Sequence, residues 1–166
     1  MSFSDCDAAQ ALGSWLVRAL QPADHDRWRE LYAGYAAFYR LTQTDEQAER
    51  TWAWLIGSAH ELEGLVAHDA GGHIVGIADV RAFARPSTAT VGGYLDDLYI
   101  DPAARGTGAA DALPAALAQH AGQRGWSVMR WITADDNHRA RRKYAKHATR
   151  TQWITYDMTP TPPDPG

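Results

Sequence analysis

From Arg105 to Ala110 the chain reads Arg-Gly-Thr-Gly-Ala-Ala, two glycines one residue apart at the head of an amphipathic run that continues to Gly125. A strand at Leu98–Ile100 precedes it, and the pattern predicts a turn and then a helix beginning near Thr107 or Gly108. The first turn of a helix carries N–H groups without an intrahelical acceptor and the positive end of the helix dipole, which together suit a phosphate. Gly106 and Gly108 remove Cβ atoms that would hold a ligand away, and Arg105 adds a fixed positive charge. A glycine-rich turn with no ligand is the alternative. No Gly-Lys-Ser/Thr follows, which excludes a kinase-type phosphate loop, and the glycine pattern is incomplete for a dinucleotide fingerprint.

A second group of residues sits in the run Asn137-His-Arg-Ala-Arg-Arg-Lys-Tyr144. Asn137, Ala140 and Tyr144 fall at i, i+3 and i+7, on one face of a helix. An amide that pairs with amides, a small residue that leaves room and a phenol that offers a proton would suit an extended polar chain. An ordinary helix face with a half-buried tyrosine is the alternative.

These residues need elements to position them. Ser14–Leu20 alternates and predicts a strand. Asp24–Arg40 places Trp28, Leu31, Tyr32, Tyr35, Phe38 and Tyr39 at three-to-four-residue spacing, an amphipathic helix with Gly34 marking a bend or a close contact. Thr44–Gln47 fits a capping box opening a helix with Trp52, Trp54, Leu55 and Ile56. Two strands flank Gly71-Gly72 as a hairpin, and Val91–Pro102 is a further strand. After the glycine loop and its helix come a strand at Ser127–Ala134, a helix through Tyr144, and a closing strand at 151–158. This order predicts an α/β fold: a mixed, mostly antiparallel central sheet with helices on both faces. It forms one domain over 14–158, after a flexible leader at 1–13 and before a proline-rich, disordered tail at 159–166.

The chain has 166 residues, 45% of them hydrophobic and 22% charged, which is enough for one core without disulfides. No apolar run is long enough for a membrane span, and the first residues lack the pattern of a signal peptide. The single cysteine, Cys6, fits a reducing cytoplasm. A net charge of −4 argues against nucleic acid as partner. The seven histidines show no metal-ligand spacing, so no metal site is expected.

Taken together, Arg105-Gly106-Thr107-Gly108-Ala109-Ala110 with "DLYIDPAA" before it, and Asn137-x-x-Ala140-x-x-x-Tyr144 after it, resemble the GNAT N-acetyltransferases. The likeness spans roughly residues 14 to 158, and "YLDDLYI" with "NHRARRKYAKHATRTQWITYDM" is most similar to the histone/polyamine and diamine acetyltransferase branch. The resemblance implies acetyl-CoA as donor. The backbone at Leu98, Tyr99 and Ile100 would pair with the pantetheine arm, while Arg105, Gly106, Thr107, Gly108, Ala109 and Ala110 wrap the pyrophosphate. Asn137 would touch the pantetheine, and Tyr144 would stand near the sulfur and protonate the leaving thiolate. It also implies a homodimer joined through the last strands, and an acceptor pocket walled by the first two helices, for which Tyr35 and Tyr39 are the candidates.

An ammonium must lose a proton before its nitrogen can attack a thioester. Asp96 and Asp97, adjacent on the strand before the donor segment, are the candidates to hold the acceptor and take that proton, through water. Alternation along a strand keeps both from facing one pocket, and a charged strand edge that resists aggregation is the plainer reading. The basic residues around Tyr144 (Arg139, Arg141, Arg142, Lys143, Lys146) make a solvated face, with one or two available to the 3′-phosphate of coenzyme A. Pro114 inside the helix after the loop, and Ala148 where many relatives carry glycine, depart from the family pattern. The function expected is acetylation of the primary amine of a small molecule: a polyamine or diamine, an amino acid, or an amine-bearing antibiotic. A protein N-terminal or lysine acetyltransferase and a non-catalytic acyl-CoA-binding module are the alternatives.

Overall fold

The computed structural model describes residues 10–12 and 15–162. Cys6 and the end of the proline-rich tail therefore lie outside the described residues. The described chain forms two units, one up to Ile132 and one from Thr133 on.

The first unit is a six-stranded sheet in sequential order: β1 (Gln10–Leu12), β2 (Trp15–Ala19), β3 (Glu63–His68), β4 (Ile74–Arg85), β5 (Thr90–Ile100) and β6 (Met129–Arg130). All neighbours are antiparallel except β5 and β6, which run parallel. Between β2 and β3 come α1 (His25–Tyr39) and α2 (Asp45–Ile56), and α3 (Ala109–Gln123) makes the crossover from β5 to β6. The expected leader thus contributes a strand, because Gln10–Leu12 pairs antiparallel with β2. Thr44 caps α2 as its sequence predicts: its hydroxyl accepts from the Gln47 amide at 3.1 Å, and its own amide donates to the Gln47 side chain at 2.9 Å.

A separate apolar layer packs on each sheet face. Val17, Leu65, Ala67, Ala78, Val80, Leu95 and Ile100 meet Ala109, Leu113, Ala116 and Leu117 of α3. On the other face Val66, Ile77 and Tyr99 meet Trp28, Leu31 and Tyr32 of α1, with Ala48 and Leu55 of α2. Trp28 is fully buried and stacks on Tyr32 with ring centroids 4.7 Å apart. Burying a side chain of this size contributes about 3 kcal/mol, which pins α1 to the sheet. Gly34 is the close contact rather than a bend: a Cβ there would lie 2.6 Å from the Tyr99 hydroxyl. On the α3 face, buried Glu63 accepts from His120 at 3.0 Å and pairs with Arg124, tying β3 to the end of α3. The helix runs through Pro114 without a break.

Two expected strands differ. The Ser127–Ala134 segment is strand only at Met129–Arg130, and 151–158 is not a strand. A strand persists only where an edge supplies hydrogen bonds, and β6 offers two residues. Trp153, Ile154, Tyr156 and Met158 are instead exposed. The described residues of the second unit include the helix α4 (His138–Tyr144).

Candidate active site

The strand β5 is hydrogen-bonded along its whole length to β4, but on its other edge it meets β6 only at Gly93 and Tyr94. Beyond Tyr94 that edge has no strand neighbour among the described residues, and the outward-facing carbonyl of Ile100 accepts from Arg105 Nε at 3.4 Å. After Ile100, a single turn of 3-10 helix at Pro102–Ala104, capped by the Asp101 carboxylate on the Ala103 amide at 2.9 Å, reverses the chain into the glycine loop.

The loop is built for close approach. Gly106 has φ 89° with open space where its Cβ would be, and Gly108, the residue that caps α3, has φ 107°. Both values favour glycine on steric grounds. The helix therefore begins at Ala109, one or two residues later than the predicted start near Thr107 or Gly108. The amides of Ala109 and Ala110 belong to its first turn and have no intrahelical acceptors. The Thr107 hydroxyl donates to the Ala104 carbonyl at 2.5 Å, which holds the loop closed. Arg105 lies over the rings of Phe38 and Tyr99, 5.6 Å and 5.8 Å from their centroids, so its charge is steadied at the loop by α1.

On the α1 face, Asp97 accepts a hydrogen bond from the Tyr35 hydroxyl. Burial lifts the Asp97 carboxyl above the usual carboxylate range; the Tyr35 donor opposes this and the nearby Asp96 charge adds to it. Burial and the Asp97 charge likewise push the Tyr35 phenol up. Tyr39 packs on Tyr35 with centroids 4.9 Å apart, nearer to solvent. Asp96 is lifted by burial and held down by Arg81, whose guanidinium sits 2.9 Å from its carboxylate.

The expected alternation of Asp96 and Asp97 is replaced by a β-bulge. Asp79 pairs with Asp97, but the next residue, Val80, pairs with Leu95. Asp96 is the extra residue, and the bulge carries Leu95 to the α3 face while Asp97 stays beneath α1. The sequence reading missed Asp79, a carboxyl that is 1% exposed on the middle of β4. The one signal for it was an aspartate inside an otherwise apolar strand pattern.

Asn137 and Tyr144 belong to the second unit. Asn137 does not share a helix face with Ala140: it is the N-cap, and its side-chain carbonyl accepts from the Ala140 amide at 3.2 Å. Asparagine is among the best N-caps because its side chain satisfies an orphan donor of the first turn. Tyr144 is the last helical residue and is partly buried. In the basic run, Arg141 pairs with Asp135 at 2.9 Å. Among the described residues no three histidine, cysteine or acidic side chains are grouped to hold a metal ion, and no helix is long and apolar enough to cross a membrane.

Comparison with known proteins gives the architecture a family. A D-amino-acid N-acetyltransferase of Saccharomyces cerevisiae, HPA3, is 29% identical over 142 residues, covering 85% of this chain and 88% of that protein. A ribosomal-protein-alanine N-acetyltransferase structure from Brucella melitensis biovar Abortus 2308 superposes with a TM-score of 0.71 at 26% identity, covering 87% and 98% of the two chains. An aminoglycoside acetyltransferase, meta-AAC0020, from an uncultured soil metagenomic sample shares the fold with a TM-score of 0.71 at 16% identity, over 89% and 97%. The model of the acetyltransferase (GNAT) family matches residues 26–148, through the bulged strand, the glycine loop and α4. The chain belongs to the acetyltransferase (GNAT) family and is an acyltransferase enzyme.

Proposed function

We propose that this enzyme transfers the acetyl group of acetyl-CoA to the primary amine of a small cationic molecule, a diamine or polyamine before other amines. The observation that carries the acceptor is Asp97: half-buried under α1, it is acted on by Tyr35 and Asp96 and, among the described residues, by no cation, Arg81 being engaged with Asp96. A carboxylate with this surrounding favours a cationic partner and repels the carboxylate of an amino acid. Tyr35 and Tyr39 line the same side and supply ring faces for the methylenes or the cation of an aliphatic amine.

For the donor, acetyl-CoA supplies the thioester. The edge of β5 at Leu98, Tyr99 and Ile100, which has no strand neighbour among the described residues, suits the amides of the pantetheine arm, and the loop from Arg105 through Gly106, Thr107 and Gly108 to Ala109 and Ala110 suits two phosphates. Asp97 accepts the proton of the acceptor, with Asp96 contributing charge at the bulge. A backbone N–H near Leu98 stabilises the oxyanion. Asn137 beside the pantetheine and Tyr144 as proton donor to the thiolate rest on the motif spacing that the chain shares with the family. A homodimer is proposed from the same resemblance, and the exposed Trp153, Ile154, Tyr156 and Met158 provide apolar surface for a second copy.

A second reading, a D-amino acid as acceptor, is favoured by the likeness to the yeast enzyme. Coenzyme A thiol release from acetyl-CoA, measured with diamines, polyamines, D-amino acids and aminoglycosides, separates the two. Asp97→Asn is expected to lower kcat at least 100-fold with the accepted amine, and Tyr144→Phe to lower kcat with little change in KM. Unchanged turnover in Asp97→Asn would remove its role as base.

A further inference from the structure

Asp79 has no part in the reaction described above, yet its surroundings are unusual. It is 1% exposed, and among the described residues neither of its carboxyl oxygens has a hydrogen-bond partner. A buried carboxylate left in this way is strongly unfavourable unless a proton or a cation completes it. Its position is set by the ladder: Asp79 stands directly opposite Asp97 on β5 and opposite Gly64 on β3. Directly paired residues share a sheet face, with Cβ atoms about 5 Å apart, so both side chains lie on the sheet face beneath α1.

The groups that face this pair come from every neighbouring element. From β5 come Asp97 and Asp96, both of which push the Asp79 carboxyl up after burial itself has done so. From α1 come Tyr32, which feels the charges of both Asp97 and Asp79, and Tyr35, which donates to Asp97. On the β3 side Gly64 has no side chain, and Leu20 and Leu55 fill the space above it. The nearest cation on β4, Arg81, is taken by Asp96. Among the described residues, no three His, Cys, Asp or Glu side chains are grouped here to hold a metal ion.

We propose that Asp79 is a positioning residue for the proton of the acceptor: opposite Asp97 beneath α1, it forms with Asp97 a single proton-accepting carboxyl pair. Two like charges held this close do not ionise independently; they bind a first proton much more tightly than a lone carboxylate does. That corrects a mismatch in the chemistry, since an ordinary aspartate is a poor base for an ammonium, and a useful base has a proton affinity near the working pH. In the step itself, the R–NH3+ group gives one proton to Asp97, where the pair retains it. The freed nitrogen lone pair bonds to the thioester carbon, the C–S bond breaks, and the second nitrogen proton leaves as the thiolate is protonated. The pair then returns its proton to solvent. Bulge and pair act together: Asp96, displaced by the bulge, takes Arg81 and leaves Asp79 and Asp97 without a neutralising cation.

This inference rests on the acceptor reading above for its role in the reaction, but not for its first test. Titrating the free protein with carbon-13-labelled aspartate carboxyls asks whether the pair exists, whatever the enzyme acetylates. As the pH rises, the wild type is expected to release the pair's proton only on approaching neutral pH, so that at working pH the pair is free to take the acceptor's proton, and in both Asp79→Asn and Asp97→Asn the late titration is expected to move to lower pH. The remaining member should then titrate at least one pH unit lower, about tenfold in proton affinity. With an accepted amine, Asp79→Asn is expected to move the acid limb of kcat/KM down by a similar amount and to lower kcat, with acceptor KM changed less than threefold. If every aspartate of the wild type titrates in the ordinary carboxylate range, or if Asp97 titrates unchanged in Asp79→Asn, the pair does not exist. If Asp79→Asn does not fold, the wild-type titration and Asp97→Asn decide the matter from the other side. Absence of turnover with any amine, alongside a shared proton, would remove the acceptor reading and leave the pair in place.

Discussion

Replacing Asp79 by asparagine is expected to stabilise the protein at neutral pH, and the sign follows from linkage. The folded state raises the affinity of this carboxyl for its proton, by burial first and then by the charges of Asp97 and Asp96. Such a group contributes most to stability below its unfolded value, about 3.9. The contribution falls as pH rises from there to the folded value, because the unfolded chain ionises freely and the folded one does not. Each pH unit within that window, which runs from the unfolded value up to the raised folded one, costs about 1.4 kcal/mol. Asp79→Asn keeps the shape and removes the titration. Urea unfolding of both proteins at half-unit steps from pH 4 to pH 8 measures the difference. Other titrating groups, such as Asp24 and Asp101, contribute to both proteins and largely cancel. The stability of the variant relative to wild type should rise steadily with pH through the window and then level. A difference that stays constant from pH 4 to pH 8 would show that Asp79 carries no raised proton affinity.

Gly34→Ala is expected to destabilise by about 1–3 kcal/mol despite the better helix propensity of alanine, because its Cβ meets the buried Tyr99 ring end at 2.6–2.9 Å; urea unfolding at or above wild-type stability would contradict the close contact. Gly108→Ala is strained at φ 107° and meets Trp15 Nε1 at 3.0 Å, so it should cost about 1–3 kcal/mol and raise the KM for acetyl-CoA. Gly106→Ala, with open space at its Cβ, should carry only the backbone strain. Tyr35→Phe removes the one hydrogen bond that holds the Asp97 carboxyl down, so the acid limb of kcat/KM should move to higher pH. A limb that moves to lower pH would mean that Tyr35 does not donate to Asp97.

Much of the scaffold is legible in local chemistry. The Thr44 capping box, the aromatic stripe of α1, the hairpin at Gly71-Gly72 and the glycine loop each follow from a few neighbouring residues. What escapes the sequence depends on partners distant along the chain. The bulge at Asp96 is invisible to a period-two pattern, which assigns Asp96 and Asp97 to opposite faces, yet it decides that Leu95 and Asp97 do not share one. Asp79 reads as a polar interruption of an apolar strand until the ladder sets it against Asp97. The segment 151–158 has β-forming residues but no long edge to pair with, and the spacing that joined Asn137 to Tyr144 concealed a capping role.

The most direct test of the central claim is a competition. The wild-type protein is given acetyl-CoA with equal concentrations of a diamine, a polyamine, a D-amino acid and an aminoglycoside, and mass spectrometry identifies which amine gains an acetyl group. The expected result is an acetylated diamine or polyamine formed well ahead of the amino acid, with thiol released in equal amount. Acetylation of the D-amino acid alone would contradict the cationic acceptor drawn from Asp97, and the absence of any acetylated amine would contradict small-molecule acetyl transfer itself.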